Sequence, residues 1–165
     1  MQGIIFHYGL LAALAIALLV AAYTDVRSRQ IANWLTAAIA LGAPLFWWSS
    51  GLALWPDVAI QIGVAFAAFV ALAGLFALRV MGGGDVKLIA ALALWLAPAD
   101  FLSMLIMMAL VGGVLPLLIG MWNVIRRKAG ARLSVPYGIA IAAGGLWILG
   151  MHYFPAASAG AGSFG

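Results

Sequence analysis

The sequence predicts an all-α polytopic membrane protein with six transmembrane helices, and three observations support this fold class. Of the 165 residues, 67% are hydrophobic and only 7% are charged, whereas soluble domains carry about 25% charged residues. The mean hydropathy of +1.19 over the whole chain leaves little room for a separate soluble domain. The apolar residues also form long unbroken runs, not the short alternating segments of a membrane β-barrel.

Each predicted span is an apolar run, and all but the fourth are close to the roughly 20 residues that a helix needs to cross about 30 Å of hydrocarbon. The runs fall at residues 4–24, 31–49, 58–79, 86–98, 101–122 and 135–154. The first run lacks the basic residues that precede the apolar part of a cleaved signal peptide, so we expect it to be a retained span. Residues 1–154 then form one transmembrane domain, and the small residues of 155–165 predict a flexible tail.

The distribution of charge predicts the orientation of these spans. The second and fourth connections contain Asp57 and Asp100 and no basic residue. All eight basic residues lie in the first, third and fifth connections: Arg27, Arg29, Arg79, Lys87, Arg126, Arg127, Lys128 and Arg132. Positively charged loops stay in the cytoplasm, so both termini are predicted on the outer, periplasmic side. The net charge of +4 therefore indicates membrane topology, with the lipid bilayer as partner, and no nucleic-acid partner is expected.

The residue types present exclude several kinds of chemistry. The chain has no cysteine, which excludes disulfides, thiolate metal sites and a cysteine nucleophile. His7 and His152 lie at opposite ends of the chain, and there is no glutamate. We therefore expect no metal site and no other cofactor.

Two of the four aspartates stand out because both lie at the predicted cytoplasmic boundary. Asp25 ends the first span and Asp85 begins the fourth. A helix from Asp85 to Pro98 would rise only about 20 Å, so either the helix continues through Pro98 or Asp85 lies below the membrane surface. Each residue has a structural alternative, since Asp85 can cap a helix and Asp25 can pair with Arg29. Together, two carboxylates can share a proton, so that one activates a water and the other polarises a peptide carbonyl.

Two motifs around these aspartates carry a family resemblance. Gly82, Gly84 and Asp85 form a GxGD sequence within GGGDVKL, and Asp25 opens the upstream stretch DVRSRQIANWL. With the later segment VPYGIA at 135–140, they resemble the type IV prepilin peptidases, which are membrane-embedded aspartic proteases. The resemblance implies that Asp25 and Asp85 are the catalytic pair. It also implies a second set that shapes the site or binds substrate: Gly82, Gly84, Lys87, Arg27, Asn33 and Tyr137.

The same resemblance implies a substrate and a location. It predicts an endopeptidase of the bacterial cytoplasmic (inner) membrane that removes the short basic leader of a prepilin at the cytoplasmic face, next to the prepilin's hydrophobic N-terminal helix. The chain resembles the short form associated with tight-adherence (Tad/Flp) pili. Longer members carry a region with paired cysteines and N-methyltransferase activity. This chain has no cysteine, so we expect peptidase activity alone. The chain departs from the family at Ala32, where the usual motif has proline.

The sequence alone also fits other functions. The chain could be a small proton-coupled transporter, since intramembrane carboxylates also serve proton relays, or a catalytically silent pilus-assembly protein. Arg27 and Lys87 fit topology anchors better than catalysts. Asn33 either caps the second span or orients Asp25, and Tyr137 either anchors at the interface or lines the site.

Helix dipoles predict the location of a shared proton. Asp25 is expected just after a helix C-terminus, where the dipole is negative, and Asp85 just before a helix N-terminus, where it is positive. These positions predict that Asp25 holds the proton and that Asp85 is the ionised partner.

Overall fold

A computed structural model describes the backbone of residues 2–79, 81–125 and 137–160, and the side chains of residues 3–79, 81–113 and 137–151. Within these residues the chain forms α-helices and no β-strand, which confirms the all-α prediction. The helices are α1 (Gln2–Ser28), α2 (Asn33–Ser50), α3 (Ala59–Ala77), α4 (Gly83–Ala93), α5 (Pro98–Ile125) and α6 (Tyr137–Gly160). An irregular helical turn, Leu54–Val58, precedes α3. The basic residues of the fifth connection and Pro136 lie outside the described residues.

The helix ends differ most from the predicted spans in four helices. The first helix α1 continues through Ser28, so Asp25 lies inside its last turn. The fourth helix α4 begins at Gly83 and ends at Ala93, so it does not continue through Pro98. Proline 98 instead begins α5, because a proline is tolerated in the first turn of a helix and disfavoured in its interior. The sixth helix α6 extends to Gly160, into the segment expected to be a flexible tail, of which 161–165 lie outside the described residues.

Two helices are long and apolar enough to cross a membrane among the residues whose side chains are described: Gly3–Ser28 and Leu54–Ala77. In the most apolar 18-residue segment of each helix, only 22% and 17% respectively is buried within the protein. They therefore present most of their apolar surface to the surroundings, as helices in lipid do and core helices of soluble proteins do not. The number of spans and the orientation of the termini remain predictions.

The short helix α4 occupies the centre of the bundle. Its 11 residues rise only about 16 Å, well short of the roughly 30 Å of a bilayer's hydrocarbon. It packs against α2, α3, α5 and α6, and Leu88, Ile89 and Leu92 are almost completely buried. The predicted fourth span is thus a buried helix too short to cross a membrane alone, and its N-terminal turn carries Asp85.

Two tryptophans fix α4 against α2. The Trp95 indole N–H donates to the Ile39 carbonyl at 2.8 Å, and the Trp47 indole N–H donates to the Leu94 carbonyl at 2.7 Å. A side chain at Gly42 would come within 2.7 Å of the Trp95 ring, so this close packing requires glycine. These two hydrogen bonds fix the end of α4 against α2, and the beginning of α4 lies beside Ile31 and Phe76.

Candidate active site

Asp25 lies in the last turn of α1, and its side chain points into the protein. Only 7% of the residue is exposed. Its Oδ2 atom accepts a hydrogen bond of 2.7 Å from the backbone N–H of Gly138, in the first turn of α6. The first N–H groups of a helix have no partner within the helix, so Asp25 supplies an acceptor that α6 itself lacks.

Asp85 lies in the first turn of α4, where the glycines of its motif leave room for it. It is 9% exposed. Gly82 precedes the helix with an extended backbone, and a Cβ atom on Gly82 would lie 2.9 Å from the Asp85 Oδ2 atom. A Cβ atom on Gly84 would lie 3.2 Å from the Ile31 Cβ atom. Ile31 belongs to the upstream motif, so the two sequence motifs pack directly against each other at Gly84.

The two aspartates line the same cavity, which has a volume of about 330 Å³. The cavity lies where the end of α1, the loop before α2 and the start of α4 meet. Its lining comprises Asp25, Arg29, Gln30, Ile31, Asn33, Gly82, Gly83, Gly84 and Asp85. Asp25 and Asp85 are the only charged residues that are buried among the described side chains. Two buried carboxylates facing one cavity form a site that can share a proton and act on a water molecule.

The pKa of Asp85, which lies outside the two candidate spans, is raised from 3.8 to about 6. Burial is the main cause, because it disfavours the charged form. The negative charge of Asp25 raises this pKa further, and a hydrogen bond with the Gly82 backbone opposes both effects. Asp85 therefore retains a proton to a higher pH than an exposed aspartate would.

The expectation that Asp25 holds the proton and Asp85 is ionised was based on the dipoles of their own helices, and the structure gives Asp25 a further neighbour. The expectation placed Asp25 beyond a helix C-terminus, but Asp25 lies within α1, and its carboxylate meets the N-terminus of a different helix, α6. Both carboxylates thus lie at helix N-termini. The environment of Asp25 depends on the packing of α1 against α6. The dipole of α1 alone therefore did not predict it.

The other site residues predicted from sequence are distributed around this cavity. Arg27 is exposed and donates to the Tyr23 hydroxyl at 2.9 Å, away from the cavity lining. Lys87 donates to the Asn33 Oδ1 atom at 3.0 Å, which connects α4 to α2. Asn33 lines the cavity, but it begins α2 without capping it, since the N-cap position is Ala32 and has no side-chain hydrogen bond.

Tyr137 does not line the cavity, and its ring packs beside Gly112 of α5. Its neighbour Gly138, which contacts Asp25, was not among the predicted site residues, although the segment that contains it, VPYGIA, is part of the resemblance. Arg29, which had no predicted site role, follows α1 in a left-handed conformation (φ 53°) and lines the cavity.

Ala32 replaces the family's proline without changing the backbone conformation that proline favours. Its φ and ψ angles are −63° and 131°, and proline's ring fixes φ near −65°. The loop that carries Ile31 to Gly84 therefore keeps its shape with alanine.

A second, larger cavity of about 570 Å³ lies at the opposite end of the bundle. It is lined by thirteen residues from Gly3 to Asp100, and Asp100 is its only carboxylate. It therefore lacks the pair of acids that the smaller cavity contains. No group of three or more His, Cys, Asp or Glu residues within the described part of the chain is arranged to hold a metal ion.

Comparison with known protein families gives one match. The model of the type IV leader peptidase family matches residues 12–117. The matched segment is well over half of the chain and includes both aspartate motifs, whereas Gly138 lies beyond it. Searches of curated proteins and of solved structures give no match. Because the family model covers most of the chain and spans both buried aspartates, the chain belongs to the type IV leader peptidase family.

Proposed function

We propose that this protein is a membrane-embedded aspartic endopeptidase that removes the leader peptide of Flp-type prepilins, with Asp25 and Asp85 as the catalytic pair. The observation that carries the proposal is that these two buried carboxylates line one cavity. Membership of the type IV leader peptidase family supports a leader peptidase with a prepilin substrate in general terms. The Flp-type substrate rests on the resemblance to the short form of the family.

The proposed reaction is a direct attack of water on the scissile peptide bond. The ionised carboxylate of the pair takes a proton from the water while the protonated one donates its proton to the carbonyl oxygen, which forms a tetrahedral diol. In the collapse of the diol, the carboxyl group protonated in the first step donates its proton to the nitrogen and the other carboxylate takes one from a diol hydroxyl, so the C–N bond breaks to give a carboxylic acid and an amine. The pair finishes with one proton, as it began.

The surroundings of the cavity support the proposed cytoplasmic site at the inner membrane. The exposed basic residues Arg27, Arg29 and Lys87 lie on the same side of the bundle as the two aspartates. This side is expected to face the cytoplasm, where positive loops are retained. The helix that carries Asp25, α1, presents an apolar surface, as a helix of a multi-pass protein in lipid would.

Leader removal can be tested by expressing the protein together with a candidate Flp-type prepilin and following the change in prepilin mass. We expect cleavage by the wild type and its loss in Asp25→Asn and in Asp85→Asn. Asp57→Asn is the matched control, because Asp57 is an exposed carboxylate at the other end of the bundle. Cleavage that survives both substitutions in the pair would contradict the aspartic mechanism. No cleavage by the wild type would favour a transporter or a silent assembly protein.

The mass of the product also tests whether the protein acts as a peptidase alone. We expect a mature pilin with a free N-terminal amine and no added methyl group. A product heavier by one methyl group when only this protein is supplied would contradict the proposal.

A further inference from the structure

The N-terminal turn of α6 contacts Asp25 from a segment beyond the residues that the family model matches. The Gly138 N–H donates to the Asp25 Oδ2 atom at 2.7 Å across 113 positions of sequence, and the bond is buried. A backbone N–H can only donate, so the oxygen that it contacts must offer a free lone pair. The partial positive charge of a helix N-terminus adds to the preference for a negative acceptor.

Space around this contact leaves no room for any residue other than glycine. A Cβ atom at position 138 would lie 2.7 Å from the Asp25 Cβ, 2.8 Å from its Oδ2 and 2.9 Å from its Cγ. The Asp25 Cβ atom is attached to the backbone of α1, so it cannot rotate away. A side chain at position 138 must therefore displace α1 from α6 or push the Asp25 carboxylate out of its position.

We propose that Gly138 is a positioning residue whose backbone N–H holds Asp25 as the ionised carboxylate, so that the shared proton resides on Asp85. This inference rests on the proposed function, in which Asp25 then takes the proton from water and Asp85 donates to the carbonyl oxygen. The other charged groups that line the cavity are Asp85 and Arg29. Arg29 is exposed to solvent, whereas Gly138 contacts Asp25 directly inside the protein.

The contact can be observed without changing Gly138 and without any substrate. Only Gly9 and Gly138 follow a tyrosine in this chain. Labelling tyrosine with ¹³C at the carbonyl and glycine with ¹⁵N therefore selects these two amides in an NMR spectrum of the purified protein. We expect the Gly138 amide proton to lie far downfield and to shift upfield in Asp25→Asn, while Gly9 does not move. Asp57→Asn should leave both signals in place, and a Gly138 signal that ignores Asp25→Asn would overturn the inference.

The consequence for catalysis is tested by Gly138→Ala with two controls in the same helix. Gly145→Ala brings a Cβ atom to 2.8 Å from the Leu18 Cδ1 atom, an equally close contact with α1 that a flexible side chain can relieve. Gly150→Ala places its Cβ atom in open space. We expect Gly138→Ala to lower kcat for leader removal by roughly 100-fold, the size of effect that a displacement of about 1 Å produces. The KM should change little, and both controls should cleave at nearly the wild-type rate.

Equal loss of activity in Gly138→Ala and Gly145→Ala would mean that α6 packing alone is at issue and would overturn the positioning role. Wild-type activity in Gly138→Ala would do the same. If Gly138→Ala does not fold, the labelled amide decides the question in the wild-type background. If the wild type cleaves no prepilin, the proposed function fails, while the response of the Gly138 amide to Asp25→Asn still tests the contact.

Discussion

Asp25 and Asp85 approach their common cavity from opposite ends of two helices, Asp25 from the last turn of α1 and Asp85 from the first turn of α4. Neither helix alone provides the site. The loop between α1 and α2 completes it, because Ile31 packs against Gly84 and brings the two motifs together. The behaviour of the pair should therefore depend on a small number of contacts between these elements. Four predictions about the pair and the loop and helices around it can be measured.

The proton on Asp85 should titrate with a midpoint near pH 6, since burial and the charge of Asp25 both raise its pKa. In Asp25→Asn the midpoint should fall because the like charge is gone, but it should stay above 3.8 because burial remains. A raised folded-state pKa also means that this group's contribution to stability is present below pH 3.8 and is lost as the pH rises toward 6. Infrared titration of protein labelled with ¹³C-aspartate measures the midpoint, and a rise of the midpoint in Asp25→Asn would contradict this account.

Substitution of Gly82 should affect cleavage more than stability. In Gly82→Ala the new Cβ atom lies 2.9 Å from the Asp85 Oδ2 atom and must push that carboxylate aside, which we expect to lower the rate of leader removal by roughly 100-fold. The backbone at Gly82 has φ of −71°, which alanine adopts without strain. Gly63→Ala is the control, because its Cβ atom in α3 meets nothing within 4 Å. A Gly82→Ala enzyme that cleaves as fast as Gly63→Ala would show that the glycine does not make room for Asp85.

The hydrogen bond between Lys87 and Asn33 should contribute modestly to the stability of the packing of α2 against α4. It is exposed, so a double-mutant cycle of Lys87→Met and Asn33→Ala should give a coupling of about 0.5–1 kcal/mol in the free energy of unfolding. Arg27 and Tyr23 form a comparable exposed bond within one helix and provide the control cycle. We expect only the Lys87–Asn33 cycle to lower the rate of cleavage as well, since Asn33 lines the cavity. Equal effects of both cycles on the rate of cleavage would show that the hydrogen bond between Lys87 and Asn33 has no specific role in the site.

Restoring the family's proline at position 32 should stabilise the protein. Ala32 already has proline-like angles, so Ala32→Pro should add about 0.4–1 kcal/mol to the free energy of unfolding by restricting the unfolded chain. Ala53 has nearly the same angles, φ −69° and ψ 138°, but its N–H donates to the Asp57 Oδ2 atom at 3.3 Å. Ala53→Pro therefore loses a hydrogen bond and should stabilise less or destabilise. Denaturation of both variants in detergent micelles measures the difference, and the opposite order would refute it.

The sequence predicted the features that depend on local patterns. Long apolar runs produced helices in all six predicted places, because burial of apolar side chains and satisfaction of backbone hydrogen bonds act along each segment. The ends were predicted less well, and the error at α4 has the most consequence for the site. The fourth span was predicted to end at Pro98, but α4 ends at Ala93 and the proline begins α5, so α4 is short and central.

The two aspartates were found from sequence because their motifs concentrate unusual residues in a few positions. Glycines beside a carboxylate, and a second carboxylate at the end of an apolar run, are visible without any structure. Gly138 was not identified in this way. Its segment was part of the resemblance, but nothing in its own neighbourhood indicates a contact with a residue 113 positions earlier.

The sequence by itself determined the helical class, the pair of carboxylates and the family to which the motifs point, because composition, periodicity and short motifs are properties of neighbouring residues. Only the tertiary structure decided which backbone N–H reaches which carboxylate. The packing of α6 against α1 gives Asp25 the Gly138 N–H, and the packing of α2 and α3 around α4 buries Asp85. The protonation of a carboxyl group depends on the donors, charges and water within a few ångströms of it, and residues distant in sequence supply most of these.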